Sequence, residues 1–296
     1  MQKIRGPLVW ITAMLAVLYI ALAAACWYGY GQLTLLSSRV TVLDASLTST
    51  TSLLQGDISA AQEKLNASLS QERAQVDAKI GSVSDQVNSV TGTVDTLQKL
   101  SKTDPQLLAK YSKVYFLNEH YAPERTTQIP QQYVYSSTRP ETIQAQVWPH
   151  LLAMLDAASS TNTALFVKSA YRSFDEQKAL KDEYTVVYGA GTANQFSAEQ
   201  GYSEHQLGTA VDFISTGQGG ELSGFDKTAA YAWLQNNAYR FGFILSYPPN
   251  NSYYIFEPWH WRYVGVKLAT DLHNAGKNFY EMDQRDIDAY LVNLFD

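Results

Sequence analysis

The hydrophobic rhythm of this chain changes twice. Residues 6–38 contain no charged side chain, and Leu8 to Tyr28 is apolar or weakly polar throughout. Twenty-one residues at about 1.5 Å each predict a helix that crosses a hydrocarbon core of roughly 30 Å. Lys3, Arg5 and the terminal amine lie before it, and Trp27, Tyr28 and Tyr30 sit at its far end. The positive-inside bias then keeps the N-terminus cytoplasmic and exports everything after residue 30. Two alternatives stand beside an uncleaved anchor over residues 1–31. Ala23-Ala24-Ala25 places small residues where a signal peptidase cuts, and with Cys26 it makes a poor lipoprotein signal. All three export the C-terminal part.

From Leu33 to Leu100 the chain turns to Ser, Thr, Gln, Asp and aliphatic residues, with no proline and no aromatic. Apolar residues recur at Leu36, Val40, Leu43 and Leu47, at Leu54, Ile58, Ala61 and Leu65, and at Ile80, Val83, Val87, Val90, Val94 and Leu97. Steps of four and three alternate as in a heptad seam, and the phase slips between Leu65 and Ile80, which predicts a stutter. Residues 32–103 therefore predict a coiled-coil stalk, on the order of 100 Å if helical throughout. Such a seam cannot bury itself. It implies a homo-oligomer or a helix folded back on a partner, because Ser, Thr and Val with Gly81 and Gly92 make a weak helix alone. The alternative is a disordered Ser/Thr-rich spacer.

Asp104-Pro105 marks the second change, and the third domain runs over 104–296 with nearly all the aromatics and eight of the nine prolines. Its pattern predicts helices at Gln106–Asn118, Glu141–Ala158, Phe174–Tyr188, Thr228–Phe241, Val264–Ala275 and Glu281–Leu294. It predicts strands at Leu165–Tyr171, Thr209–Ser215, Gly242–Ser246 and Tyr253–Phe256, with irregular chain at Pro130–Pro140 and a loop at Gly189–Gly201. Short strands mixed with helices in this order suggest an α+β domain rather than a doubly wound parallel sheet.

Composition narrows the chemistry. A net charge of −6 with 17% charged residues offers no electrostatic case for nucleic acid. The single cysteine, Cys26, lies in the apolar stretch, which excludes an intrachain disulfide, a cysteine nucleophile and a Cys-rich zinc knuckle. The 20 tyrosines, mostly after residue 110, suit a carbohydrate- or peptide-facing groove or simple packing with a wet hydroxyl. There is no H-E-x-x-H, no G-x-S-x-G and no S-x-x-K.

What remains is a stock of metal ligands. Ser203-Glu204-His205-Gln206-Leu207-Gly208-Thr209-Ala210-Val211-Asp212 and Glu257-Pro258-Trp259-His260 together offer two imidazoles, an aspartate and a spare carboxylate. A catalytic zinc takes three protein ligands and leaves the fourth position to water, and a carboxylate nearby can take that water's proton. The Gly208-Thr209 step can carry the chain from a loop holding His205 into a strand holding Asp212, where alternation puts Ala210 and Asp212 on one face. A charged residue between Val211 and Phe213 is costly unless paired or metal-bound. His120, His150 and His273 have no such neighbours and read as structural.

These motifs, with Ser169-x-Tyr171-Arg172-Ser173, resemble the VanY/LdcB-type D-alanyl-D-alanine carboxypeptidases over about residues 105–275. The resemblance implies the small α+β fold shared with hedgehog signalling proteins (the hedgehog/DD-peptidase fold), here preceded by the transmembrane helix and the coiled-coil stalk. It implies zinc on His205, Asp212 and His260, Glu257 as catalytic base and Arg172 as the cation facing the oxyanion. Ser203, Gln177, Tyr171, Ser169 and Trp259 would line the substrate pocket. The implied substrate is the peptide stem of peptidoglycan. Cleavage of the terminal D-Ala-D-Ala bond, L,D-carboxypeptidase action, endopeptidase action and a non-catalytic zinc- or peptide-binding module on a scaffold all stay open at this stage.

Overall fold

The computed structural model describes residues 6–111, 115–135, 140–188 and 198–296. The chain divides into two units, Met1–Val90 and Thr91–Asp296.

Helix α1 runs without a break over Gly6–Lys102, 97 residues, through the expected junction between anchor and stalk at residue 31. No proline follows Pro7 within it. Its many hydroxyls are satisfied locally: Thr48 Oγ1 donates to Asp44 O at 2.8 Å and Ser59 Oγ to Gln55 O at 2.9 Å, and others follow the same pattern. That back-bonding lets Ser and Thr sit mid-helix without an unpaired group. The seam residues Leu36, Val40, Leu43 and Leu47 are all exposed. An 18-residue window of mean hydropathy 2.3 near the N-terminus is apolar and long enough to cross a membrane.

In the second unit an antiparallel four-stranded sheet carries the functional side chains. Its strands are β3 (Phe166–Ser169), β4 (Ala210–Ile214), β6 (His260–Tyr263) and β5 (Phe243–Leu245), in the spatial order β3-β4-β6-β5. A small two-stranded sheet of β1 (Thr126–Gln128) and β2 (Thr142–Gln144) precedes it. The helices are α2 (Trp148–Ser160), α3 (Phe174–Tyr188), α4 (Ala229–Asn237), α5 (Val266–Ala275) and the short α6 (Gln284–Asp288). Strand alternation sends Val211, Phe213, Trp261 and Tyr263 into the core with Leu151, Met154, Leu155, Leu234, Leu268 and Leu272. The other face is left for polar chemistry. This is an α+β domain.

Several expected elements change. Gln106–Asn118 is not a helix: a 3-10 turn at Pro105–Leu108, with Leu107 and Leu108 buried, is followed by irregular chain in which Ala109 and Tyr111 are buried, and residues 112–114 lie outside the described set. The helix expected from Glu141 starts seven residues later, because Thr142–Gln144 pairs with Thr126–Gln128. Tyr253 and Tyr254 form bends and Ile255-Phe256 is irregular, and the fourth strand is His260–Tyr263 instead. The final helix breaks into 3-10 turns around α6. Residues 136–139 of the irregular stretch and 189–197 of the expected loop lie outside the described residues.

Candidate metal centre and substrate cleft

Strand register assembles the centre. Asp212 on β4 pairs with His260 on β6 and with Ser169 on β3, so the three stand in a row across the sheet. Directly opposed residues share a face with Cβ atoms about 5 Å apart. His205 joins from the 3-10 turn Glu204–Leu207 just before β4. Gly208 ends that turn at φ +69°, and a Cβ there would lie 2.9 Å from Pro123 Cγ and 3.2 Å from Gln144 N. Only glycine fits both the left-handed conformation and the space.

The candidate ligand atoms converge. His205 Nε2 lies 3.2 Å from Asp212 Oδ2, and His260 Nδ1 lies 3.1 Å from Asp212 Oδ1. One donor atom from each of the three buried residues falls within 4.8 Å of the others. The opposite ring nitrogens are occupied: His205 Nδ1 is 2.6 Å from Ala170 O, and His260 Nε2 is 2.9 Å from Glu204 Oε2. Each imidazole is thus oriented with one nitrogen anchored and the other turned to the shared point, the arrangement ligating histidines adopt. Tyr247 stacks on the His260 ring at 4.2 Å and 8°, which fixes its plane. The donor set of two imidazoles and one carboxylate suits zinc and leaves a coordination position open.

The electrostatics follow from burial and pairing. Burial opposes charge on Asp212, yet the two histidines beside it hold its carboxyl well below the usual range. Burial lowers the pKa of His205 against the pull of Asp212. On His260 burial is outweighed by hydrogen bonds to Asp212 and Glu204, which raise it to about 10. Glu257 behaves oppositely: burial, with Asp212 and Glu204 adding to it against the pull of His260 and Arg172, raises it to about 7. A carboxylate poised near neutrality at the floor of a cleft has the proton affinity general base catalysis needs.

Glu257 and His260 bracket one tight turn. His260 N donates to Glu257 O at 3.1 Å across Pro258-Trp259, while Glu257 N donates to Tyr247 O at 3.1 Å. Proline at the second position presets such a turn, so Glu257 and His260 are held by local backbone. Arg172 is tied in from β3's end: Nη1 donates to Gln177 Oε1 at 2.8 Å, Nη2 to Ser169 Oγ at 2.9 Å, and its amide to His205 O at 3.2 Å. Gln177 also donates to Ala198 O at 2.8 Å.

A cleft of about 740 Å³ opens onto this group. Ser169, Arg172, Gln177, Ser203, His205, Asp212, Glu257, Trp259 and His260 all line it. Tyr171 does not: its amide donates to Thr142 O at 2.8 Å, and it is absent from the lining. Two groups escaped the sequence reading. Glu204, fully buried, accepts from Ser246, Tyr280 and Arg262 as well as from His260. Arg262, also fully buried, donates from Nη2 to Leu107 O at 2.7 Å and lies over the Tyr111 and Phe279 rings at 4.8 Å each. Arg262 carried a signal, as a charged residue between Trp261 and Tyr263; Glu204 sits among the polar Ser203, His205 and Gln206, and the partners of both lie far away along the chain.

Two imidazoles and a carboxylate around one point, with a free carboxylate and a guanidinium in the same cleft, make up a mononuclear metal centre of the catalytic type. Residues 140–266 match the family of D-alanyl-D-alanine carboxypeptidases (VanY), and the chain belongs to that family. It is 36% identical over 181 residues to YodJ of Bacillus subtilis (strain 168), covering 60% of this chain and 66% of that protein. It is 35% identical over 170 residues to a D-alanyl-D-alanine carboxypeptidase of Enterococcus faecalis (strain ATCC 700802 / V583), covering 51% and 60%. The chain thus spans roughly two thirds or less of these relatives' length. Among solved structures it resembles the LdcB LD-carboxypeptidase, with TM-score 0.55 and 36% identity over 60% of this chain and 85% of that one. It also resembles the D,D-pentapeptidase VanY of the VanB-type resistance cassette in complex with Zn(II), with TM-score 0.50 and 30% identity over 59% and 97%.

Proposed function

We propose that this protein is a membrane-anchored, extracytoplasmic zinc carboxypeptidase that hydrolyses the terminal D-Ala-D-Ala bond of peptidoglycan stem peptides. The observation that carries the proposal is the convergence of His205, Asp212 and His260 within 4.8 Å at the floor of the cleft that also holds Glu257 and Arg172. A D,D-pentapeptidase that binds Zn(II) and shares the fold supports the choice of metal and bond.

In this reading His205, Asp212 and His260 hold the zinc, which when bound polarises the scissile carbonyl and makes water more acidic. Glu257 takes a proton from the attacking water and later returns it to the leaving amine. Arg172 donates to the oxygen that gains charge, its fork held in place by Gln177 and Ser169. Ser203 and Trp259 border the cleft where the stem peptide lies.

The flanking parts fit an envelope substrate. Residues 1–31 would anchor the chain, 32–103 would form a self-associating coiled coil, and 104–296 would be the peptidase. The unbroken helix with its apolar N-terminal window and exposed seam supports this division. The test is release of D-alanine from a muropeptide pentapeptide by the full chain, abolished by a zinc chelator and restored by zinc. No release, with zinc bound, overturns the assignment of the bond. The likeness to the LdcB LD-carboxypeptidase supports a second reading, in which the same centre trims tetrapeptides. Mass spectrometry of the digest separates the two.

A further inference from the structure

Glu204 is among the most enclosed charges in the molecule, and every partner it has points toward one purpose. Its Oε2 faces His260 Nε2 at 2.9 Å, on the side of the ring away from Asp212. Its Oε1 accepts three hydrogen bonds, from Ser246 Oγ at 2.8 Å, Tyr280 OH at 2.9 Å and Arg262 Nη1 at 3.0 Å. The side chain is completely buried. Burial alone would neutralise such a carboxyl. The Arg262 guanidinium at 3.0 Å and the hydroxyls of Ser246 and Tyr280 offset that cost.

Two of those partners, Tyr280 and Arg262, bring in chain that lies outside the matched span of residues 140–266. Tyr280 comes from the 3-10 turn Phe279–Glu281. Arg262 is clamped by carbonyls of Leu107 and Ala109, at 2.7 and 3.2 Å, and by the rings of Tyr111 and Phe279. The segment after the family span therefore reaches the Glu204 carboxylate directly through Tyr280, and the segment before it does so through Arg262, one hydrogen bond from the metal group.

We propose that Glu204 is a positioning residue for the metal. By accepting the Nε2 proton it selects the His260 tautomer whose Nδ1 lone pair faces the cation. Arg262, Tyr280 and Ser246 lock Glu204 itself, so the flanking segments 105–111 and 279–281 are working parts of the centre and not mere packing. This inference rests on His260 being a ligand. Carboxylates in this relation to a ligating histidine change metal affinity or activity about 10- to 100-fold when removed.

The experiment is a zinc competition titration against a chromophoric chelator, with the visible absorption of the cobalt(II)-loaded protein as second readout. It uses the full chain and the variants Glu204→Gln, Tyr280→Phe, Ser246→Ala and His260→Ala. Glu204→Gln should bind zinc about 10- to 100-fold more weakly and shift the cobalt bands. Tyr280→Phe and Ser246→Ala should each weaken zinc by about 10-fold or less and move the same bands, while their metal-free forms, short of one hydrogen bond to a buried carboxylate, still unfold in a single cooperative transition. These two decide the matter if Glu204→Gln does not fold. Parental zinc affinity and cobalt spectrum in both overturn the positioning role even when His260→Ala has lost the metal. Parental zinc affinity in His260→Ala instead overturns the ligand assignment beneath it.

Discussion

Replacing Arg172 with methionine separates two roles a guanidinium in this cleft can have. Met keeps most of the stem's volume and removes the fork. The structure sets the cost to the fold. The fork supplies one hydrogen bond to Gln177 Oε1 and one to Ser169 Oγ, worth about 1 kcal/mol each in net terms. Arg172 is only half-buried, so no enclosed charge is stranded by its loss. A domain of this size loses about 2–4 °C in Tm per kcal/mol, and the variant should melt only a few degrees early. The cost to catalysis is larger. A donor aimed at the developing oxyanion is worth about 10²- to 10³-fold, or 2.7–4 kcal/mol. Because that interaction strengthens only in the transition state, the loss belongs in kcat, with KM nearly constant. The assay is steady-state D-alanine release by zinc-loaded Arg172→Met, with metal content checked in parallel. A raised KM with kcat intact refutes the oxyanion role and makes Arg172 an anchor for the substrate's own carboxylate.

Three further outcomes are expected. Glu257→Gln should keep its zinc and lose activity by several orders of magnitude. Because Glu257 must be ionised to accept a proton and burial lifts it to about 7, kcat/KM of the parent should fall as pH drops; a metal cation nearby moves that limb to lower pH, and the residual activity of the variant should lack it. His205→Ala should lose bound zinc, read by atomic absorption, and unchanged stoichiometry would remove His205 from the ligand set. Gly208→Ala should destabilise the fold by about 1–3 kcal/mol, read by chemical denaturation, since the new Cβ meets Pro123 Cγ at 2.9 Å at a φ of +69°.

The local parts of this protein could be read from the chain alone. The apolar stretch, the helix that continues from it, the strand around Asp212 and the helix Phe174–Tyr188 follow from periodicity, which needs only neighbours in sequence. The metal ligands could also be nominated, because His205 and Asp212 sit in one short motif and Glu257 and His260 in another. Where the reading failed, a long-range partner decided. Thr142–Gln144 became strand because Thr126–Gln128 lies beside it, and His260–Tyr263 became strand because β4 and β5 flank it on both sides. Tyr171 belongs to a motif yet is not among the residues that line the cleft. The register that sets Ser169, Asp212 and His260 side by side, and the burial of Glu204 beneath Tyr280 and an Arg262 held by the Leu107 carbonyl, join residues up to 155 positions apart. Hydrogen bonding and desolvation depend on distance in space, so only the folded chain could settle which charges are paired.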